Sequence, residues 1–144
     1  KLSSTKTIVK NKSIILIDDS LVRGTTCHKI VKMLYESGAK EVHVRIACPE
    51  IKYPDFYGVD MPTKEELLAH ERSIGEMCDY IKAKTLKFLS LNGLYRALTE
   101  QTRNASYPQF SDHYFTGEYP IKPSDKLRGL KVKQLSLLSG KSNN

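Results

Sequence analysis

The 144-residue sequence has no tryptophan, only three cysteines, and no apolar run near the roughly 20 residues that a membrane-crossing helix needs. The first absence removes the largest aromatic from any base-stacking surface. The last argues against membrane insertion. Cys27, Cys48 and Cys78 are separated by 20 and 29 residues, so they form neither an even disulfide set nor a metal-ligand spacing. No basic stretch followed by an apolar segment opens the chain, which argues against a secretory leader. A reducing cytoplasm is the expected location. Acidic residues are missing from both ends. Residues 1–12 carry four lysines and no acid, and residues 122–144 carry six Lys or Arg against Asp125 alone. Of the net charge of +7, the termini therefore supply +9 and the stretch 13–121 carries −2. No aromatic residues interleave the terminal lysines, so nucleic-acid binding is not expected and the ends read as solvated extensions. The chain starts with Lys1 rather than Met and its first strand arrives almost at once, so it reads as a fragment with an upstream region missing.

What is present is an alternation of strand and helix patterns. Ile14-Ile15-Leu16-Ile17 is a short β-branched run that predicts a strand buried on both faces, as in a parallel sheet. From Thr25, apolar residues at Cys27, Ile30, Val31 and Leu34 share one helical face that ends at Ser37-Gly38. Val42 to Ile46 then alternates as a strand, so 14–46 forms one strand-helix-strand unit of an α/β fold. Pro49 to Pro62, with Pro54 and Gly58 between them, reads as a loop. Thr63 with Glu66 three residues later has a capping-box pattern and predicts a helix over 63–69. A second helix is expected over 73–81, a strand over 85–89 and a last helix over 91–99. From Thr102 onward little regular structure is expected, which divides the chain into 1–101 and an irregular extension, 102–144.

The stretch richest in chemistry is Ile14 to Thr26, IILIDDSLVRGTT. At the C-terminal end of a parallel strand the chain leaves the sheet where open α/β folds bind ligands. Backbone N–H groups from Val22 to Thr26 can converge on a phosphate, because a helix start presents unpaired donors and a partial positive charge. Gly24 permits close approach, and Thr25 and Thr26 add hydroxyl donors. Asp18 and Asp19 can accept hydrogen bonds from neighbouring ribose hydroxyls or supply oxygen ligands to Mg²⁺. Ser20 either hydrogen-bonds the phosphate or closes the turn, and Arg23 offers a backbone contact with its side chain left open. The GxxxxGK[ST] and GxGxxG loops are both absent.

These thirteen residues resemble the phosphoribosyl pyrophosphate signature of type I phosphoribosyltransferases. The form Asp-Asp-Ser-x-Val-Arg-Gly-Thr-Thr resembles the amidophosphoribosyltransferases in particular. So do, in order, Glu41 to Ala47, Pro54 to Pro62, Glu65 to Ala69 and Phe115 to Pro120. The resemblance implies a type I phosphoribosyltransferase-like parallel sheet with flanking helices, here incomplete. It further implies synthesis of 5-phosphoribosylamine from phosphoribosyl pyrophosphate and glutamine, with Mg²⁺ as cofactor. Asp18 and Asp19 would contact the ribose and the metal, and Ser20, Val22, Arg23, Gly24, Thr25 and Thr26 the 5-phosphate. Many base-specific relatives place an acid where Val22 stands, and an apolar residue there suits ammonia as nucleophile. Asp60 and Met61 fall in a loop that approaches the site in the family, although Asp60 is equally placed to cap the next helix.

The family's glutaminase domain, substrate-covering loop and pyrophosphate turn precede this segment. The resemblance therefore implies a full enzyme that is homo-oligomeric, and a fragment that is inactive alone. None of the three cysteines has the glutaminase motif, so each reads as a packing residue, and His28, His43, His70 and His113 show no ligand spacing. Some family members hold a four-iron cluster on cysteines in this region. The corresponding positions here are Asp55, Ser111 and Tyr114, so no iron–sulfur cluster is expected. Two other readings stand beside this one: a non-catalytic ligand-binding protein or remnant of the same fold, and a diphosphokinase or base phosphoribosyltransferase that shares the loop.

Overall fold

The computed structural model describes residues 5–57 and 63–121. The expectations for Asp60 and Met61, and for the basic stretch 122–144, lie outside the described residues. A short helix, α1 (Thr5–Val9), which the sequence did not announce, leads into strand β1 (Ser13–Asp18). Helix α2 (Thr25–Glu36) carries the chain back to β2 (Glu41–Ile46), which pairs with β1 in parallel, Ile14 opposite Val42 and Ile17 opposite Arg45. Helix α3 (Ile74–Ile81) leads to β3 (Thr85–Phe88), parallel to β2, which gives a three-stranded sheet of order β1-β2-β3. Helices α4 (Leu91–Thr99) and α5 (His113–Thr116) complete the described chain.

The core lies between the sheet and the helices α2 and α3. Cys27, Val31 and Leu34 of α2 and Met77 and Ile81 of α3 are buried against Val42, Val44 and Ile46 of β2 and Leu86 of β3. Each large aliphatic side chain taken out of water here contributes roughly 1.5–3 kcal/mol. The expectation that β1 is buried on both faces is corrected. Ile14 and Leu16 pack against this core, but Ile15 and Ile17 are 64% and 72% exposed. In the described chain β1 is an edge strand, and its core-facing residues share the face that α2 and α3 cover. The period of two turns the alternate residues to the uncovered face.

The segment 63–69 differs from expectation as well. Only a 3₁₀ turn, Lys64–Glu66, forms there, with the Thr63 N–H donating to the Glu66 carboxylate at 3.1 Å. Leu67, Leu68 and Ala69 are all buried, and three consecutive buried residues suit an extended chain better than one face of a helix. Moreover, the Leu68 N–H donates at 2.8 Å to the Val22 carbonyl. The helices expected over 73–81 and 91–99 do form, each with a serine cap that the sequence reading did not single out: Ser73 Oγ accepts from Glu76 N–H and Ser90 Oγ from Gly93 N–H.

Between residues 102 and 121 the described chain is irregular apart from α5, yet it is well packed. The Tyr95 hydroxyl of α4 donates to Asp112 at 2.8 Å, the Arg103 guanidinium pairs with both Asp112 and Glu118, and Asp112 is 4% exposed. The same stretch clasps the loop after β2. Lys52 and Tyr53 N–H groups both donate to the Tyr114 carbonyl, and the Tyr119 hydroxyl donates to the Pro54 carbonyl. Polar partners replace regular structure here, so nothing periodic marks the region in the sequence.

Burial works against ionisation of Asp112, but hydrogen bonds from Arg103, Tyr95 and Thr116 outweigh it and hold the carboxyl below its ordinary range. A carboxyl whose folded pKa lies below its unfolded one stabilises the fold above the unfolded value of about 4, and that contribution is lost as the pH falls through the folded value. In urea denaturation from pH 7 to 3, stability should therefore decline at the acid end. Asp112→Asn should cost about 3 kcal/mol at pH 7, because it leaves a buried guanidinium under-paired, and should flatten the decline. An equal acid slope in the variant would refute the assignment.

Candidate phosphate-binding site

β1 ends at Asp18, and the chain then crosses the C-terminal edge of the sheet to reach α2. The Ala47 N–H donates to the Asp18 carbonyl at 2.9 Å, and buried Leu21 anchors the middle of the crossing. Gly24 then turns the backbone into the helix with φ +75°, a left-handed conformation that glycine adopts without strain. The first bond of the helix runs from His28 N–H to Gly24 C=O at 2.9 Å. The N–H groups of Thr25, Thr26 and Cys27 precede that bond and are donors without intrahelical partners. They stand at the positive end of a 12-residue helix.

Asp18, Asp19, Ser20, Leu21, Val22, Arg23, Gly24, Thr25, Thr26 and Cys27 line one open cavity of about 460 Å³. Every residue expected to contact ribose or phosphate thus meets around one space. The Asp19 N–H donates to Asp18 Oδ1 at 3.1 Å, and Ser20 Oγ donates to Asp19 Oδ1 at 3.1 Å. The Ser20 hydroxyl is thus engaged by the adjacent carboxylate in this structure. The Arg23 guanidinium reaches Glu66 at 3.4 Å, with both side chains about half exposed. The two carboxylates form an oxygen-only donor set with most of their lone pairs unengaged by these bonds, which suits a hard cation such as Mg²⁺. Among the described residues no three His, Cys, Asp or Glu gather into a metal site, so such an ion would need further oxygens from ligand or water.

The cysteines behave as packing groups. Cys27 is buried beneath the loop, and burial, then the nearby Asp18 charge, push its thiol up to about 11, which keeps it neutral at physiological pH. Burial also raises the Cys48 and Cys78 thiols. Three of the histidines are held by ordinary partners: His28 donates to the Tyr80 carbonyl, His70 to the Lys52 carbonyl, and His43 meets the Thr85 hydroxyl.

His113 is different, and its sequence neighbourhood gave it no role. Its Nε2 donates to Asp55 Oδ1 at 2.8 Å, its Nδ1 meets Ser111 Oγ at 3.0 Å, and its ring lies 4.1 Å from that of Tyr114. The structure therefore gathers Asp55, Ser111 and Tyr114 around one imidazole. Burial, then the Asp55 charge, raise the Tyr114 phenol. A carboxylate, a hydroxyl and a neutral phenol do not fit an iron–sulfur cluster, which is held by thiolates.

Sequence reading also missed what lies behind the loop. A Cβ added to Gly24 would lie 2.6 Å from Leu68 Cδ2 and 3.0 Å from Tyr80 Cε1, so both side chains pack directly on this glycine. The capping-box pattern was the only signal for Glu66, and it pointed to a helix start. Gly24→Ala should destabilise the chain by about 1–3 kcal/mol in thermal unfolding, through the positive φ and the clash together. An unchanged melting temperature would show that the loop is not held in this way.

No family model matches the chain. Amidophosphoribosyltransferases from Rhizobium etli and Staphylococcus aureus are 49% identical over 140 residues and 50% identical over 120 residues, or 96% and 83% of this chain. The chain spans only 28% and 24% of their respective lengths. The solved structure of glutamine phosphoribosylpyrophosphate amidotransferase from B. subtilis, complexed with ADP and GMP, superposes with a TM-score of 0.72 at 43% identity, covering 80% of this chain and 25% of that one. Identity near one residue in two across most of its length, with a superposition at a TM-score of 0.72, places the chain in the amidophosphoribosyltransferase family, as a segment about a quarter as long as its relatives.

Proposed function

We propose that this chain supplies the ribose 5-phosphate half of an amidophosphoribosyltransferase active site, in an enzyme that makes 5-phosphoribosylamine from phosphoribosyl pyrophosphate and glutamine. The observation that carries the reading is the single cavity lined by Asp18 to Cys27, with acids on one side and a helix N-terminus on the other. The 5-phosphate takes the donors of Thr25, Thr26 and Cys27 and the hydroxyls of the two threonines. The ribose hydroxyls donate to Asp18 and Asp19. Held at both ends, the sugar presents C1 to the nucleophile, and orientation of this kind lowers the barrier without covalent help from the protein. Mg²⁺ would be held with the help of Asp18 and Asp19, and it supplies neutralising charge for the pyrophosphate leaving group. Val22 leaves the nucleophile's side of the loop without a general base, which suits ammonia.

The glutaminase region, the substrate-covering loop and the pyrophosphate turn belong, in this reading, to the upstream part of the enzyme, which acts as a homo-oligomer in the cytoplasm. Among the described residues no helix is long and apolar enough to cross a membrane.

In the full-length enzyme that contains this segment, replacing Asp18 and Asp19 together by Asn should raise KM for phosphoribosyl pyrophosphate by at least about tenfold, because each carboxylate gives up a charge-assisted hydrogen bond. The fold, followed by circular dichroism, should not change, since neither side chain is part of the buried core: Asp18 is half-buried at the end of β1 and Asp19, just after it, is exposed. Unchanged kcat/KM would refute the ribose assignment.

The enzyme should also lack an iron–sulfur cluster, given the residues at positions 55, 111 and 114. Protein expressed anaerobically with iron and sulfide supplied should be colourless and free of stoichiometric iron. Cluster absorption in the visible spectrum would overturn this.

A further inference from the structure

The segment 63–69 is remote in sequence from the loop at 18–26, and nothing in its composition suggests a part in the site. Three contacts nevertheless join the two. The Leu68 N–H donates to the Val22 carbonyl at 2.8 Å, the Leu68 side chain, 1% exposed, closes on Gly24, and the Glu66 carboxylate meets Arg23. A fourth contact comes from α3, whose Tyr80 ring packs on Gly24 while its carbonyl receives the His28 side chain of α2. The segment is itself tied down, because the His70 ring donates to the Lys52 carbonyl. It is thus a strut between the loop after β2 and the phosphate loop.

Within the strut, Glu66 has two tasks on one atom. Its Oε2 accepts the Thr63 N–H at 3.1 Å and the Arg23 guanidinium at 3.4 Å. The first bond fixes the carboxylate to the 3₁₀ turn, and the second fixes Arg23. Arg23 lines the cavity and Glu66 does not, so the carboxylate reaches the ligand space only through the arginine.

We propose that Glu66 is a positioning residue of this site: anchored by its own backbone turn, it holds the Arg23 guanidinium at the rim of the phosphate cavity, where the cation adds to the attraction for a phosphate ester. This inference rests on the phosphate-loop reading above. Both side chains are half exposed, so the coupling is of the size of a surface ion pair, and its value lies in where it keeps the cation. Without Glu66, Arg23 samples solvent and must be ordered by the ligand itself.

Glu66→Gln tests this selectively, because the amide oxygen can still accept the Thr63 N–H while the charge that holds Arg23 is gone. The 144-residue chain would be titrated with ribose 5-phosphate, following amide NMR shifts of Gly24, Thr25 and Thr26. Wild type should show shifts confined to the loop. Glu66→Gln should bind about two- to fivefold more weakly, at unchanged melting temperature. In an Arg23→Gln background the same substitution should have no effect, since its route to the ligand has been removed. If Glu66→Gln binds as wild type, or weakens binding equally with and without Arg23, the positioning role fails and the loop reading survives. If wild type shows no loop shifts up to saturating ligand, the loop reading itself fails, and this inference with it.

Discussion

The whole site depends on the left-handed turn at Gly24. At this residue a strand direction becomes a helix direction, and φ of +75° is the conformation that sets the free N–H groups of α2 against the carboxylates that end β1. The turn is tightly enclosed. Leu68 and Tyr80 fill the space where any side chain would stand, so steric exclusion and backbone preference agree on glycine. Because Leu68 belongs to the buried core of the chain, the loop is braced from the core on that side. For the anion site proposed here, such bracing would aim the donors before the ligand arrives.

A second constraint comes from parallel pairing. β1, β2 and β3 all run the same way, so their C-terminal ends share one edge, and the loops that leave them meet there. Asp18 comes from β1, Ala47 follows β2 and bonds back to Asp18, and Leu89 after β3 bonds back to the Ile46 carbonyl. The loop after β2 is in turn clasped by the segment 111–121 through His113, Tyr114 and Tyr119. A continuous set of contacts thus runs from the phosphate loop through the strut to the C-terminal part of the described chain. Its polar elements, the Asp55–His113 and Arg103–Asp112 pairs, are buried and mutually satisfied, which favours one arrangement over its alternatives.

The sheet also shows what this segment does not bury. α2 and α3 cover one face, while Ile15 and Ile17 remain largely exposed on the other. Two isoleucines on the open face of an edge strand are costly to leave in water. The relatives that the chain matches are about four times as long as it is.

By itself, the sequence determined the elements whose signals are local. The strand-helix-strand unit, the helices over 73–81 and 91–99, and the loop Asp18 to Thr26 follow from apolar period and from acids and a glycine between a strand and a helix. Each of these patterns acts over a few residues, so a single pass along the chain finds it. Tertiary structure alone decided the rest. Leu67, Leu68 and Ala69 were drawn into the core together, and that overrode the helix their neighbours favoured. Ile15 and Ile17 lie exposed because helices pack on only one face of the sheet, which no local pattern encodes. Glu66 meets Arg23, Tyr80 backs Gly24, and His113 gathers Asp55 and Ser111 across separations of 43, 56 and 58 residues for the longest contact of each. Such contacts form only when folding closes those separations, and the residue types involved look the same in the sequence whether or not they meet.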